Sequence, residues 1–252
     1  MLPPLSLVIP AFNEADRIGQ TLRDVLRYLH GASPESEIIV VNDGSTDATS
    51  DVARKVFETE NKIETRLLEN FPNRGKGAAV RLGLLAAQKP IGFFFDADLS
   101  TPLEETPKVI EPIASGEVEI AFGSRALDRR LIGHRQPWRR EQGGRVFNLL
   151  VRASTGLPFW DTQCGFKAFR LTACRSLLEV ARIDGFGFDV ELLYLAYRSG
   201  LRMREIPVRW NHHEGSKVHF VHDSVRMLRE VVAVRSLGRT GAYDRALLNP
   251  EL

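Results

Sequence analysis

The chain of 252 residues holds only two cysteines, Cys164 and Cys174. Two thiols without close pairing exclude a zinc ribbon and are too few for a disulfide-dense secreted scaffold. Neither has a neighbouring histidine to activate it, so both read as unreactive packing residues in a reducing cytoplasm. Long apolar runs are missing too. A spanning helix needs about 20 mostly apolar residues, and stretches such as Ile91–Phe95 and Val231–Val234 are far shorter. No basic region followed by an apolar stretch precedes the first strand-like run, so neither a signal peptide nor a bilayer span is expected. A strong charge of one sign is also absent. The formal net charge of +2 leaves no global field to recruit nucleic acid, which is not an expected partner. Internal repeats, low-complexity tracts and linkers are lacking.

What is present is 43% hydrophobic and 26% charged content, enough for one large globular domain over residues 1–252. Leu5–Pro10 is a strand-like run, followed by Ile18, Leu22, Val25, Leu26 and Leu29 at helical spacing, with Asn13 as the expected N-cap. Ile38–Val41 and Ile63–Leu68 read as strands, with a helix carrying Val52, Val56 and Phe57 between them. An Ala/Leu-rich helix over about 78–88 leads to a strand at Ile91–Phe95, a helix near 104–114 and a strand at Val118–Phe122. Strands alternating with helices predict an α/β fold with a mostly parallel sheet and helices on both faces. Ligands then sit at the C-terminal strand ends, where the polar motifs after Pro10, Val41, Phe95 and Phe122 fall. Beyond Arg125 the pattern loosens: a helix over about 141–153, a turn-rich segment at 159–170, a helix at 189–198, a strand at 201–210 broken by Pro207, and an amphipathic helix over 221–237.

Asp96 and Asp98 directly follow an apolar strand. Two carboxylates in a dry location are costly unless a cation neutralises them, and hard oxygen ligands suit Mg²⁺ or Mn²⁺ bridging to diphosphate. Read alone, the pair is equally a solvated strand end with Asp98 capping a turn. Asp43 follows the second strand, placed to accept from a nucleobase or ribose, while Thr46 or Asp47 better suits the following helix cap. Arg74-Gly75-Lys76-Gly77-Ala78 lacks the spacing of a P-loop and leaves a close-packed helix entrance or a loop closing over a nucleotide. Arg125, Arg129, Arg130, Arg135, Arg139, Arg140 and Arg145, with His134, oppose only Asp128 and Glu141, a local positive patch for an anionic acceptor, for an anionic membrane surface, or simply an ordinary solvated loop. Asp189 and Glu191 either decorate their helix or line the acceptor pocket. His212 and His213 read as polar surface or phosphate-proximal groups.

Val8 to Glu14, Val40 to Asp47, Asn73 to Gly77 and Asp96 to Ser100 together resemble the motif series of family 2 glycosyltransferases. Gly123-Ser124-Arg125, Asp161 to Lys167, Phe188 to Glu191 and Glu214 to Lys217 are similar to the polyprenyl-phosphate (dolichyl-phosphate) branch, on its glucosyltransferase side. The resemblance covers about residues 5–235 and implies a GT-A fold, with a nucleotide-sugar half at about 5–124, an acceptor half at about 125–237 and a tail at 238–252. It implies a nucleotide diphosphate sugar donor contacted by Pro10, Ala11, Glu14, Asp43, Lys76, Ala97 and Lys217. It further implies Mg²⁺ or Mn²⁺ on Asp96 and Asp98, and a polyprenyl phosphate acceptor met by Arg125 and Arg139. Asn42, Ser100 and Asn211 depart from the mannosyltransferase pattern and turn the donor towards a UDP-sugar rather than GDP-mannose.

A polyprenyl phosphate is already anionic and needs positioning by arginines, not a general base. A soluble hydroxyl acceptor would instead require one, with Asp189 and Glu191 the candidates. A silent binding module for anionic lipids would give Asp96 and Asp98 no task. The leading expectation is a peripheral membrane enzyme, docked through the arginine patch and the 221–237 helix, with Arg226, Arg229, Arg235 and Arg239 towards the headgroups. For that helix, packing on the sheet is the competing expectation.

Overall fold

The computed structural model describes residues 1–133, 138–212 and 220–243, with the backbone alone at 138–141 and 220–225. Strands Leu5–Ala11 (β1), Glu37–Asp43 (β2), Glu64–Asn70 (β3) and Ile91–Phe95 (β4) alternate with helices Ala15–Ala32 (α1), Thr49–Glu58 (α2) and Lys76–Ala86 (α3). β1 pairs in parallel with β2 and β4, and β2 with β3. Every residue of β2 and β4 is buried, because helices cover both sheet faces and leave no solvated side to demand polar alternation. Leu5, Leu7 and Ile9 pack with Ile18, Leu22, Val25 and Leu29 of α1 on one face, while Val8, Ile39 and Val41 meet Ala79, Val80 and Leu84 of α3 on the other. Each such aliphatic side chain contributes roughly 1.5–3 kcal/mol of burial.

The rest of the chain adds Thr106–Ala114 (α4), Ile120–Ser124 (β5), Trp138–Thr155 (α5), Phe166–Arg170 (β6), Leu171–Val180 (α6), Phe188–Arg198 (α7), Met203–Pro207 (β7) and Phe220–Arg239 (α8). The sheet order is β3-β2-β1-β4-β6-β5-β7. β6 runs antiparallel to both β4 and β5. This corrects the expectation of a turn-rich segment at 159–170: its last five residues form β6, and α6 follows without a break. Two features hide these elements. Lys167 interrupts the apolar pattern of the strand although it is fully buried, and α6 begins without a side-chain cap. The reversal matters for the site. Phe166 lies opposite Phe95, so the residues that lead into β6, Asp161 to Gly165, arrive at the edge where β4 ends.

α8 also differs from the membrane-facing expectation. Val231 and Val234 are fully buried and Met227, Leu228, Ala233 and Leu237 pack against the same core, so its apolar stripe is consumed by packing. Arg226, Arg229, Arg235 and Arg239 are exposed on its other side.

Candidate functional site

The C-terminal ends of β1 and β2 are tied together by side chains reaching between their loops. Asn13 is not the N-cap of α1: it sits at φ 54°, and its Oδ1 accepts from the Thr46 amide at 2.8 Å. Its own amide donates to Ser45 Oγ at 2.8 Å. Asp47 accepts from the amides of Ala15 at 3.1 Å and Thr49 at 3.0 Å, serving the first turns of α1 and α2 together. The Glu14 amide donates to Thr49 Oγ1 at 2.8 Å, and the Glu14 carboxylate pairs with Arg17 at 2.7 Å. Asn42 accepts from the Ser45 amide at 3.0 Å and donates to Ser50 at 2.6 Å. Pro10 and Ala11 end β1 opposite Val41 and Asn42. These bonds tie the two loops into one rim built from short polar residues whose local backbone bonding suits loops.

Asp43 is almost fully buried and grips the loop that enters α3. Its carboxylate accepts from the Gly75 amide at 2.7 Å, the Arg74 amide at 3.1 Å and Asn70 Nδ2 at 2.9 Å. A carboxylate has about four acceptor positions, so Asp43 retains room for one further donor while it organises residues 70–75. Gly75 adopts φ 117°, and a Cβ there would lie 2.4 Å from the Asp184 carbonyl oxygen. The close-packed entrance is therefore how the loop is built. It aims the next residue, Lys76, at the acidic pair.

Lys76 Nζ lies 2.5 Å from Asp96 Oδ1. Burial opposes the charge on Lys76, but Asp96, Asp189 and Asp98 outweigh it and raise its pKa above the usual lysine value. Asp98 accepts from the Ser100 amide at 2.9 Å, the turn bond expected of a strand end, and Leu99 takes φ 49°. The Ala97 carbonyl is held by Thr21 Oγ1 of α1 at 2.6 Å. A small cavity beside the pair is lined by Asp96, Asp98, Ser100, Thr101, Gly165 and Trp210 among others. Among the described residues no third His, Cys, Asp or Glu joins a metal-ligating cluster. Two hard carboxylates without a closed protein shell are the donor set of a divalent ion that completes its coordination with water and phosphate oxygens. The residues fit Mg²⁺ or Mn²⁺.

Gly165 holds Asp96 from below, accepting its amide hydrogen at 3.2 Å. A Cβ at Gly165 would stand 2.2 Å from Asp96 Oδ2. Gly165→Ala is expected to displace that carboxylate, costing about 1–3 kcal/mol of stability and lowering turnover more than the melting shift explains. Paired thermal melts and steady-state rates check this; an alanine variant with unchanged turnover contradicts it.

Arg125 follows directly on β5. Its Nε donates to Asp161 Oδ2 at 2.7 Å and its Nη2 to Asp161 Oδ1 at 2.9 Å, and its backbone amide reaches the same carboxylate at 2.9 Å. Burial alone would raise the Asp161 carboxyl, but Arg125 holds it below the usual carboxylate range. Glu205 of β7 fixes the Asp161 loop by accepting from the amides of Trp160 at 2.9 Å and Asp161 at 2.7 Å, and from Ser124 Oγ at 2.7 Å. The Arg125 guanidinium also lies 5.6 Å from the Trp210 ring centroid. So held, it presents its remaining N–H groups in a fixed orientation, suited to an anion. Arg139 falls on the first turn of α5, where the backbone alone is described, and Lys217, with the rest of Glu214 to Lys217, lies outside the described residues.

The two candidate bases are both engaged. Asp189 accepts from Lys167 Nζ at 2.6 Å; burial raises its pKa against the pull of Lys167 and Lys76. Glu191 accepts from the amides of Arg182 at 2.9 Å and Ile183 at 2.8 Å and from the Tyr243 hydroxyl at 2.6 Å. It is a structural anchor for α7 and not a pocket-lining group. Cys164 is buried and its thiol is pushed up to about 12 by burial and the nearby Asp161 charge, as an unreactive packing residue requires. His212 stacks on Trp210 at 6.0 Å. Sequence reasoning gave Lys167 and Glu205 no role, although a lone lysine within the apolar run at 166–169 is the signal of a buried ion pair.

The family model described as "Glycosyl transferase family 2" matches residues 6–178. The chain is 38% identical to a dolichyl-phosphate beta-glucosyltransferase of Drosophila melanogaster over 252 residues, covering 95% of this chain and 76% of that protein. It is 33% identical to the protein of the same name from Saccharomyces cerevisiae, again covering 95% of this chain and 76% of the relative. Among solved structures it is similar to glucosyl-3-phosphoglycerate synthase from Mycobacterium tuberculosis with phosphoglyceric acid, at TM-score 0.67 and 24% identity, covering 95% of this chain and 80% of that one. The same protein with Mn²⁺, uridine diphosphate and glucosyl-3-phosphoglycerate gives TM-score 0.63 at 22% identity, covering 95% and 80%. These two likenesses carry the fold, the GT-A arrangement that the motif series implies.

Proposed function

The chain belongs to glycosyl transferase family 2, and from that premise we propose that it transfers glucose from UDP-glucose to a polyprenyl phosphate of the dolichyl type. The relatives named dolichyl-phosphate beta-glucosyltransferase support both the sugar and the acceptor. The observation that carries the reading is the Arg125–Asp161 clamp, whose guanidinium lies against Trp210 of the cavity lining and within electrostatic reach of Asp96. It offers a fixed cation for an acceptor that arrives already ionised.

Residues of about 5–124 form the donor half of this single domain and about 125–237 the acceptor half. The rim of Pro10, Ala11, Glu14 and Asp43 receives the nucleoside, and Lys76 and Ala97 border the diphosphate; Lys217 is assigned to the diphosphate from the motif series alone. A divalent ion held by Asp96 and Asp98, Mg²⁺ or Mn²⁺, supplies neutralisation of the charge that develops on the leaving diphosphate. Arg125, with Arg139, orients a phosphate oxygen towards the anomeric carbon for one in-line displacement that inverts its configuration. Transfer to a soluble hydroxyl is disfavoured because Asp189 and Glu191 are already bound to protein donors. Among the described residues no helix is long and apolar enough to cross a membrane. A lipid-linked acceptor of this kind places the reaction at a membrane surface, which we propose to be the cytoplasmic face.

Purified protein with labelled UDP-glucose, a short-chain polyprenyl phosphate and Mn²⁺ should yield labelled glucosyl lipid. Chelation by EDTA should lower the rate by about a hundredfold or more, and restored Mg²⁺ or Mn²⁺ should recover it. Equal transfer to glycerol or phosphoglycerate, or none to the lipid phosphate, contradicts the reading.

A further inference from the structure

The segment that follows β7 is held firmly by its backbone. The Val208 amide donates to the Ser124 carbonyl at 3.3 Å, the Trp210 amide to the Leu131 carbonyl at 3.1 Å and the Asn211 amide to the Ser100 carbonyl at 2.8 Å. The Trp210 carbonyl accepts from the Gly133 amide at 3.1 Å, and Arg209 Nε pairs with Glu105 at 2.6 Å. None of these bonds uses the indole. The backbone therefore sets Trp210 between the loop after β5 and the acidic loop after β4, and leaves its ring for another contact.

Trp210 lines the same cavity as Asp96 and Asp98. Of the aromatic residues on that wall, Phe95 and Phe166 are buried in the core, whereas Trp210 is partly exposed. Its ring centroid stands 5.6 Å from the Arg125 guanidinium carbon, and His212 backs the ring at 6.0 Å. A tryptophan placed by a fixed backbone, with part of its ring uncovered beside polar groups, is the usual make-up of a ligand wall. What it meets follows from its neighbours. With the donor diphosphate on the acidic pair and the acceptor phosphate on Arg125, the group that passes between them is the hexose. Trp210 borders both ends of that path. A glucose ring is uncharged and carries its ring hydroxyls at its rim, so its faces present C–H bonds of slight positive polarity, which suit the negative face of an indole.

We infer that Trp210 is the wall against which the transferred hexose packs, a specificity-determining contact for the sugar part of the donor. The inference rests on the reading of sugar transfer from a nucleotide diphosphate to a lipid phosphate. Other residues are assigned to the nucleoside and the metal, so Trp210 contributes to the affinity for UDP-glucose and not to that for UDP. An isoprenoid chain fits this wall less well, since it would lie beside the Asp96 and Asp98 carboxylates.

The test titrates UDP-glucose and, separately, UDP into the full chain with Mn²⁺. Trp210→Ala should weaken UDP-glucose binding by about tenfold and leave UDP within about twofold. Trp210→Phe, which keeps an aromatic face, should retain most of the UDP-glucose affinity, and melting curves of both variants separate a lost contact from a lost fold. In steady state Trp210→Ala should raise the KM for UDP-glucose while the KM for a short-chain polyprenyl phosphate holds. The proposal is overturned if UDP and UDP-glucose weaken equally, if Trp210→Ala binds UDP-glucose as the unmodified chain does, or if only the KM for the lipid phosphate rises, which would make Trp210 a support for Arg125 instead. A loss confined to UDP-glucose, in a chain that transfers nothing to lipid phosphate, would keep the sugar wall and reject the acceptor reading.

Discussion

Replacing Asp98 with asparagine is expected to lower kcat/KM for sugar transfer by about a thousandfold or more, with little change in the unfolding midpoint. The separation of the two effects follows from geometry. Asp98 accepts from the Ser100 amide at 2.9 Å, a bond that an asparagine Oδ1 retains, so the turn and the left-handed Leu99 survive. Among the described residues Asp98 makes no direct ion pair, and its pull on Lys76 ranks behind those of Asp96 and Asp189. Asp96→Asn should behave differently, because Asp96 is paired with Lys76 at 2.5 Å and its loss strands an enclosed ammonium. That variant should lose stability as well as activity. Steady-state rates beside thermal melts distinguish the two, and an Asp98→Asn enzyme of near-normal turnover would show that the acidic pair serves the loop alone.

Lys167→Met is expected to destabilise the protein by about 3–5 kcal/mol, the usual consequence of leaving one partner of a buried ion pair behind. Lys167 is fully buried, donates to Asp189 and to the Cys164 carbonyl at 2.6 Å each, and lies 5.4 Å from the Phe94 ring centroid. Without it Asp189 remains in an apolar setting that already raises its pKa. Removing both charges should cost less than removing one. The double variant Lys167→Met/Asp189→Leu should recover most of the lost stability in urea unfolding, since an apolar pair of similar size avoids desolvation. A double variant as unstable as the single would mean that strand packing, not charge, sets the penalty.

Much of this architecture is legible in the sequence because its strands are short, apolar and followed at once by polar motifs. β4 ends where the apolar run Ile91–Phe95 ends, and Asp96 stands at the strand end as that run implies. The donor rim is less legible. Asn13 has the residue type of an N-cap, yet the tertiary bond to Thr46 outweighs the local one and turns its backbone left-handed. Asp43 is free for a ligand in the sequence pattern but shares its carboxylate with the loop at 70–75 in the fold. β6 and α6 escape notice because their defining interactions are distant. Lys167 is tolerable in a central strand only with Asp189, and Gly165 is required only because Asp96 lies against it. The 221–237 pattern is amphipathic in sequence whether its apolar side meets lipid or protein. Burial of Val231 and Val234 decides that question, which periodicity leaves open.

The central claim is that Asp96 and Asp98 hold a divalent ion for a nucleotide diphosphate. It is tested most directly by calorimetric titration of uridine diphosphate into the protein with Mn²⁺ and with EDTA. The account predicts binding at least about tenfold tighter with the metal, since metal-bridged phosphate oxygens contribute several kcal/mol in such sites, and no such gain in Asp98→Ala. Equal affinity with and without Mn²⁺, or an undiminished metal effect in Asp98→Ala, would contradict it.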